Sequence, residues 1–157
     1  MHRKIIPDLV ESEHPKGNGR VCCLRGDTAA REAAVAMMET NVAAVAVIGE
    51  DDRLVGIVTE RDLTRRVMAS QRDPEKVMLS EIMTANPQTL RPGDAAMDAL
   101  TIMRDGRYRH LPVVDDDGFV VAMISIRHIY AAVKLELEED VRLRDQYISG
   151  ESYGARA

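Results

Sequence analysis

At 157 residues, 45% hydrophobic and 30% charged, the chain is sized for one globular domain that buries well over half of its surface. A formal net charge of −5, a single Phe, no Trp and no basic tail leave neither an electrostatic footprint nor a stacking platform for nucleic acid. The longest uncharged apolar stretch, residues 42–49, is too short to span a bilayer, and the polar start Met1-His2-Arg3-Lys4 lacks a signal-peptide core; no membrane partner and a cytoplasmic address are expected.

In chain order, residues 1–19 carry Pro7, Pro15, Gly17 and Gly19 and read as a short apolar tether followed by a loop. Asp27 or Thr28 is placed to cap a helix to about residue 39, and the apolar run 42–48 reads as a buried strand. Residues 54–58 form a second strand after the Glu50-Asp51-Asp52 turn, and Thr59 opens a helix through Arg61, Leu63 and Val67 to about residue 69. A linker, 70–86, holds Asp73-Pro74 and one apolar turn around Ile82-Met83. The same order then returns: Asp94 caps a helix to 104, strands 111–114 and 119–124 flank Asp115-Asp116-Asp117-Gly118, and Ser125 opens the last helix. Both acidic turns lack the spacing and closing Glu of a calcium loop and read as hairpin turns, so no metal site is expected.

This return is an internal repeat. Residues 24–63 align without a gap on 90–129 at an offset of 66, with ten of forty pairs identical; roughly three would follow from average composition. Repeats of this size bury their apolar faces against a neighbour, which predicts one domain with pseudo-twofold symmetry and a site that comes in two related, unequal versions. The segments are a tether (1–19), repeat one (20–69), the linker (70–86), repeat two (87–133) and a C-terminal helix with its tail (134–157).

Two helices look apolar nearly all round, through Ala29, Ala30, Ala33, Ala34, Val35, Ala36, Met37 and Met38 in one and Ala95, Ala96, Met97, Ala99, Leu100, Ile102 and Met103 in the other. One face packs on the sheet and the other needs a second cover, so self-association as a homodimer is expected. In the last helix Ile126, Ile129, Tyr130, Val133, Leu137 and Val141 recur at three- and four-residue spacing opposite Lys134, Glu138, Glu139 and Arg142, which suits a surface or a partner helix.

Chemistry concentrates in Gly56-Ile57-Val58-Thr59-Glu60-Arg61-Asp62 and its counterpart Ala122-Met123-Ile124-Ser125-Ile126-Arg127-His128. A strand ends, a hydroxyl sits at the turn and a helix begins. Free N–H groups at such a helix start suit a phosphate, the Thr59 hydroxyl can donate to a phosphoryl or ribose oxygen, and Gly56 leaves room for a base. Asp62 can accept from both hydroxyls of a ribose diol, each bond to a charged carboxylate contributing about 1.5–3 kcal/mol. The same Thr59/Asp62 spacing is also that of a capping box.

The phrases Leu54-Val55-Gly56-Ile57-Val58-Thr59-Glu60-Arg61-Asp62-Leu63 and Arg109-His110-Leu111-Pro112-Val113-Val114-Asp115 resemble the CBS domain pair, or Bateman module, over about residues 20–133. The resemblance implies an α+β fold of two tandem β-α-β-β-α repeats, with small sheets packed on helices, that senses an adenosine ligand in two clefts. Cleft one would comprise Ile57, Thr59, Asp62, Thr84, Asn86, Gln88, Tyr108 and Arg109. Cleft two would comprise Arg20, Cys22, Val42, His110, Met123, Ser125 and His128. In cleft two His128 stands where the pattern wants the ribose-binding acid, so cleft one is favoured; His110 and His128 could favour a phosphate there when protonated. Cleft one would draw positive charge from Arg109 or Arg61, which suits AMP over ADP and ATP, with NAD and S-adenosylmethionine as further candidate ligands.

No nucleophile elbow, phosphate loop, His-Glu-x-x-His or metal-spaced Cys pair is present, so the expectation is a non-enzymatic module without a required cofactor. The competing reading is an interaction module with vestigial clefts that docks an effector protein such as an enzyme or transporter. Cys22 and Cys23, adjacent and too strained to bridge each other, read as packing residues, with thiol redox sensing as a third possibility.

Overall fold

The computed structural model describes residues 21–151, with side chains described through residue 148. The tether, Arg20 and residues 152–157 lie outside the described part. Repeat one runs β1 (Cys23–Arg25), α1 (Ala30–Thr40), β2 (Ala44–Ile48), β3 (Leu54–Thr59) and α2 (Glu60–Leu63), which continues into a π-helical turn, Thr64–Met68. The linker contributes α3 (Leu79–Ile82) and β4 (Thr84–Ala85). Repeat two follows with α4 (Ala96–Gly106), β5 (His110–Val114), β6 (Val120–Ser125) and α5 (Ile126–Glu151).

The strands form a four-stranded sheet in the order β1-β2-β3-β4 and a two-stranded β5-β6 hairpin. β1 lies parallel to β2; β2/β3 and β3/β4 are antiparallel, with Ile57 opposite Thr84. The pseudo-twofold reaches single residues. Each hairpin slips register at the same place, Val47/Ile48 and Val113/Val114. Each first helix ends on a left-handed residue, Asn41 and Arg107, and each hairpin turn holds another, Asp52 and Gly118. Each repeat also has its own core, around Ala33, Met37, Val45 and Val58 in one and around Ala99, Met103, Leu111 and Ile124 in the other. The hairpin tips meet across the axis, where Leu54 N donates to Gly118 O at 3.2 Å.

In one respect the halves part company through a single ring. In repeat one Ala46 N donates to Cys22 O at 2.9 Å, extending the parallel β1/β2 pairing. The residue equivalent to Ala46 is Pro112, which has no N–H, so the corresponding bond to Gln88 cannot form. The strand before α4 shrinks to one bridge, Leu90 to Val113, and Gln88 stays outside the ladder.

Several helix starts differ from the sequence expectation. Neither Asp27 nor Thr28 caps α1: its cap is Ala29, without a side-chain bond. The linker supplies the missing acceptors, as Ala30 N donates to Val77 O at 2.8 Å and Arg31 N to Pro74 O at 3.0 Å. Asp94 likewise leaves the cap of α4 to Ala95 and accepts from Arg91 N at 2.8 Å instead. The helix expected from Thr59 to about residue 69 widens at Thr64, where Ala69 N reaches back five residues to Thr64 O at 2.8 Å. Val67 thereby packs into the core of repeat one at 2% exposure.

The apolar excess on the two repeat helices is smaller outside than composition suggests. Arg31 and Glu32 share the outer side of α1 with Ala34 and Met38, and Met97 is the large apolar residue left open on α4. Most of α5 beyond Lys134 is exposed, with Leu137, Val141 and Ile148 on one stripe below Tyr130. No helix among the described residues is long and apolar enough to cross a membrane. Both acidic segments are hairpin turns, closed by Gly49 N to Arg53 O and Asp115 N to Phe119 O.

Candidate functional site

A cleft of about 480 Å³ opens between the repeats, within the range usual for small-molecule sites. The end of β3 and the start of α2 bring Ile57, Thr59, Glu60, Arg61 and Asp62 to it. β4 and the following loop bring Thr84, Asn86 and Gln88, the turn between α4 and β5 brings Arg107, Tyr108 and Arg109, and the start of β5 brings His110. All eight residues assigned to cleft one on sequence grounds therefore line one cavity.

Local structure explains how the segments close in. A Cβ on Gly106 would collide with the Tyr108 ring, so the glycine lets Tyr108 fold back on the cleft wall. Gly56 does not face the cleft; a Cβ there would strike Met83 and the Thr84 carbonyl. Its missing side chain admits the linker, which corrects the expectation that it makes room for a base.

Thr59 and Asp62 form the capping box. Asp62 Oδ2 accepts from Thr59 N and Thr59 Oγ1, both at 2.9 Å, and Thr59 Oγ1 accepts from Asp62 N at 3.3 Å. The hydroxyl proton thus points at Asp62 and not at a ligand. Glu60 N is also engaged, donating to Ala43 O at 3.0 Å. Two of the first amides of α2 already have acceptors, so the expected phosphate seat at this helix start is largely filled by the chain itself. What stays available is Asp62 Oδ1, on a side chain 15% exposed, with Arg66 Nε at 3.5 Å.

Positive charge comes from side chains. Arg61, Arg107 and Arg109 line the cleft, and none forms an ion pair among the described residues, whereas Glu60 and Asp62 are its only lining acids. The sequence reading missed Arg107, which no spacing rule would select. Its backbone signal is the left-handed conformation at φ 56, costing about 1–2 kcal/mol for a non-glycine residue.

Residues assigned to cleft two are arranged differently. Cys22, Val42, Met123, Ser125 and His128 lie off the wall of the described cleft, and Arg20 lies outside the described residues. His110, expected in cleft two, stands on the wall of cleft one. Burial, then His128 and Arg109, pushes its imidazole below the ordinary value of 6.5, which opposes the protonated form that would favour a phosphate. Ser125 and His128 repeat the capping box: Ser125 N donates to His128 Nδ1 at 3.1 Å and His128 N to Ser125 Oγ at 3.4 Å. A capping imidazole offers one acceptor nitrogen where Asp62 has two oxygens. Both cysteines are free, and burial raises the Cys22 and Cys23 thiols above their ordinary range, which lowers their thiolate content.

Comparison with known proteins agrees with this architecture. The chain is 32% identical over 149 residues to the mitochondrial CBS domain-containing protein CBSX3 of Arabidopsis thaliana, covering 92% of this chain and 72% of that protein. Several longer plant relatives are matched over only 16 to 21% of their length. A solved CBS-domain protein from Burkholderia ambifaria MC40-6 superposes with a TM-score of 0.74 at 28% identity, covering 82% of this chain and 92% of that one. A CBS domain protein from Pyrobaculum aerophilum, solved in complex with AMP, gives a TM-score of 0.65 at 28% identity, covering 69% of this chain and 82% of that one. The family model for the CBS domain matches twice, at residues 18–69 and 79–135, one match to each half of the pseudo-symmetric pair; the chain belongs to the CBS domain family.

Proposed function

We propose that this chain is a regulatory, non-catalytic module that binds an adenosine nucleotide in the cleft between its repeats. The observation that carries the reading is the meeting, in one cavity of about 480 Å³, of a sheltered carboxylate and three arginines that form no ion pair among the described residues. That pairing suits a ligand with a diol at one end and an anion at the other. In this reading Asp62 Oδ1 accepts from the ribose hydroxyls, and Ile57, Thr84, Asn86 and Gln88 contact the base. Arg61, Arg107 and Arg109 hold the phosphate, with Tyr108 covering the mouth. The AMP complex of the Pyrobaculum relative supports AMP as the first ligand to test; Arg107 adds charge that makes ADP and ATP its nearest competitors.

Occupancy is relayed through a homodimer face on the repeat helices, where Met38 is 73% and Met97 48% exposed. An effector protein is the alternative target of such a signal, and the stripe Tyr130, Leu137, Val141 and Ile148 on α5 is an open apolar surface for it.

Thermal unfolding with AMP, ADP, ATP, NAD and S-adenosylmethionine tests the reading. A ligand at about a hundred times its dissociation constant adds about 2.7 kcal/mol, a shift of several degrees. A flat response to all five overturns it and leaves the interaction module with vestigial clefts. Light scattering with and without AMP tests the dimer.

A further inference from the structure

Arg66 belongs to none of the cleft walls, yet it touches the two things that the cleft depends on. From the π-helical turn its Nε stands 3.5 Å from Asp62 Oδ1. Its Nη1 donates to Ile82 O at 2.7 Å and Met83 O at 3.2 Å. Ile82 ends α3, and Met83 leads directly into Thr84, whose strand pairs with Ile57 at the cleft floor. One guanidinium thus joins the Asp62 carboxylate to the backbone that leads into the cleft-lining residues Thr84, Asn86 and Gln88.

We infer that Arg66 is a positioning residue that couples Asp62 to the linker, so that engagement of the carboxylate by ligand and the placement of residues 82–86 become one event. This rests on the reading of the cleft as a nucleotide site and adds to it the device by which occupancy leaves the site. Four considerations support it.

Geometry comes first. Asp62 Oδ2 already serves Thr59 N and Oγ1, so the carboxylate has one oxygen left for a ligand, and that is the oxygen Arg66 faces. The 3.5 Å separation is an ion pair rather than a hydrogen bond, which leaves the lone pairs of Oδ1 available.

Side-chain chemistry is the second. A planar guanidinium presents donors in fixed directions and can serve carbonyls and a carboxylate at once, whereas the single ammonium of lysine is a point charge.

The third is the burden on the linker. It also supplies Val77 O and Pro74 O to the start of α1, and its Met83 fills the space over Gly56. A shift of this segment would therefore be felt at α1, the helix that carries Met38.

The fourth is that repeat two lacks the whole arrangement. The equivalents of Asp62 and Arg66 are His128 and Ala132; Ala132 is packed in the core at 7% exposure, within a regular helix. The strut exists only beside the cleft that has the acid.

The test compares the full chain with Arg66→Met and Arg66→Lys, using AMP as the probe. AMP affinity is measured by calorimetry and amide exchange is followed at residues 82–86, including the Asn86 N–H that bonds Val55 O at 3.0 Å. In the wild-type chain AMP should slow exchange across this segment. In Arg66→Met, whose apolar stem keeps the packing, affinity should fall about tenfold if the wall is in place only about a tenth of the time, and the AMP-dependent slowing should vanish. Arg66→Lys should recover part of the affinity through its charge without restoring the exchange response. If Arg66→Met does not fold, Arg66→Lys decides alone: wild-type affinity together with a wild-type exchange response overturns the proposal. Wild-type behaviour of Arg66→Met also overturns it. Failure of the wild-type chain to bind AMP, ADP, ATP, NAD or S-adenosylmethionine overturns the nucleotide reading itself, so the two failures are distinct.

Discussion

The two repeats carry one backbone plan and two different chemistries. Thr59 and Asp62 in repeat one match Ser125 and His128 in repeat two, each pair forming the two reciprocal bonds of a capping box. Only the first leaves a charged oxygen over, facing an arginine at the edge of an open cleft. The capping and ligand roles of Asp62 are thus compatible, because a carboxylate has two oxygens and the cap uses one. An imidazole that caps through Nδ1 has no equivalent second acceptor. Local structure is shared by the two repeats, while the side chains at the cleft position differ.

The largest expected effect comes from removing that oxygen. Asp62→Ala should weaken AMP binding by at least about 1.5 kcal/mol, more than tenfold, in a calorimetric titration. Because the same side chain caps α2, the ligand-free protein should also lose about 1 kcal/mol in urea unfolding. Loss of stability with unchanged affinity would reduce Asp62 to a cap.

Giving repeat two the missing acid sharpens the contrast. His128→Asp should keep the box with Ser125 and add a second, weaker AMP site, read as stoichiometry rising from one toward two in the same titration. An unchanged stoichiometry would mean that residues beyond this position, Ala132 among them, define the difference.

A smaller effect follows from His110. Its pKa is lowered on folding, so between the ordinary value of 6.5 and the lower folded value the unfolded chain binds more protons than the folded one. Stability from the neutral ring is therefore fully present above about pH 6.5 and lost as pH falls through that window. His110→Gln should flatten urea midpoints measured from pH 7.5 to 5; an unchanged slope would place the titration elsewhere.

The smallest effect is at the strand that repeat two lacks. Pro112→Ala restores the N–H that Ala46 uses in repeat one, and this new amide should be protected from exchange by Gln88 O. Stability should change by no more than about 1 kcal/mol, since the added bond is opposed by the freer unfolded chain. A rapidly exchanging amide would show that more than the proline ring keeps this strand short.

Much of this was legible in the residues. The offset of 66 gave the pseudo-symmetry, and apolar runs bounded by turns placed β2, β3, β5 and β6 to within two residues. The phrase around Thr59 marked the cleft, since its chemistry is local. Arg107 and Arg66 were not legible. Arg107 reaches the cleft through a left-handed helix end, and Arg66 acts on carbonyls sixteen and seventeen residues away. The caps assigned to Asp27 and Asp94 failed for a related reason: amides at the start of α1 donate to linker carbonyls that packing brings within reach, and the Asp94 carboxylate accepts from Arg91 N instead.

The sequence by itself determined the repeat, its elements and the acid that sets one half apart, because periodicity, turn chemistry and side-chain type are properties of neighbours along the chain. Tertiary structure alone decided where His110 faces, which oxygen of Asp62 is left for a ligand, and which arginines meet there. Those outcomes depend on separations of a few ångströms between segments far apart in the chain, which only the packed backbone fixes.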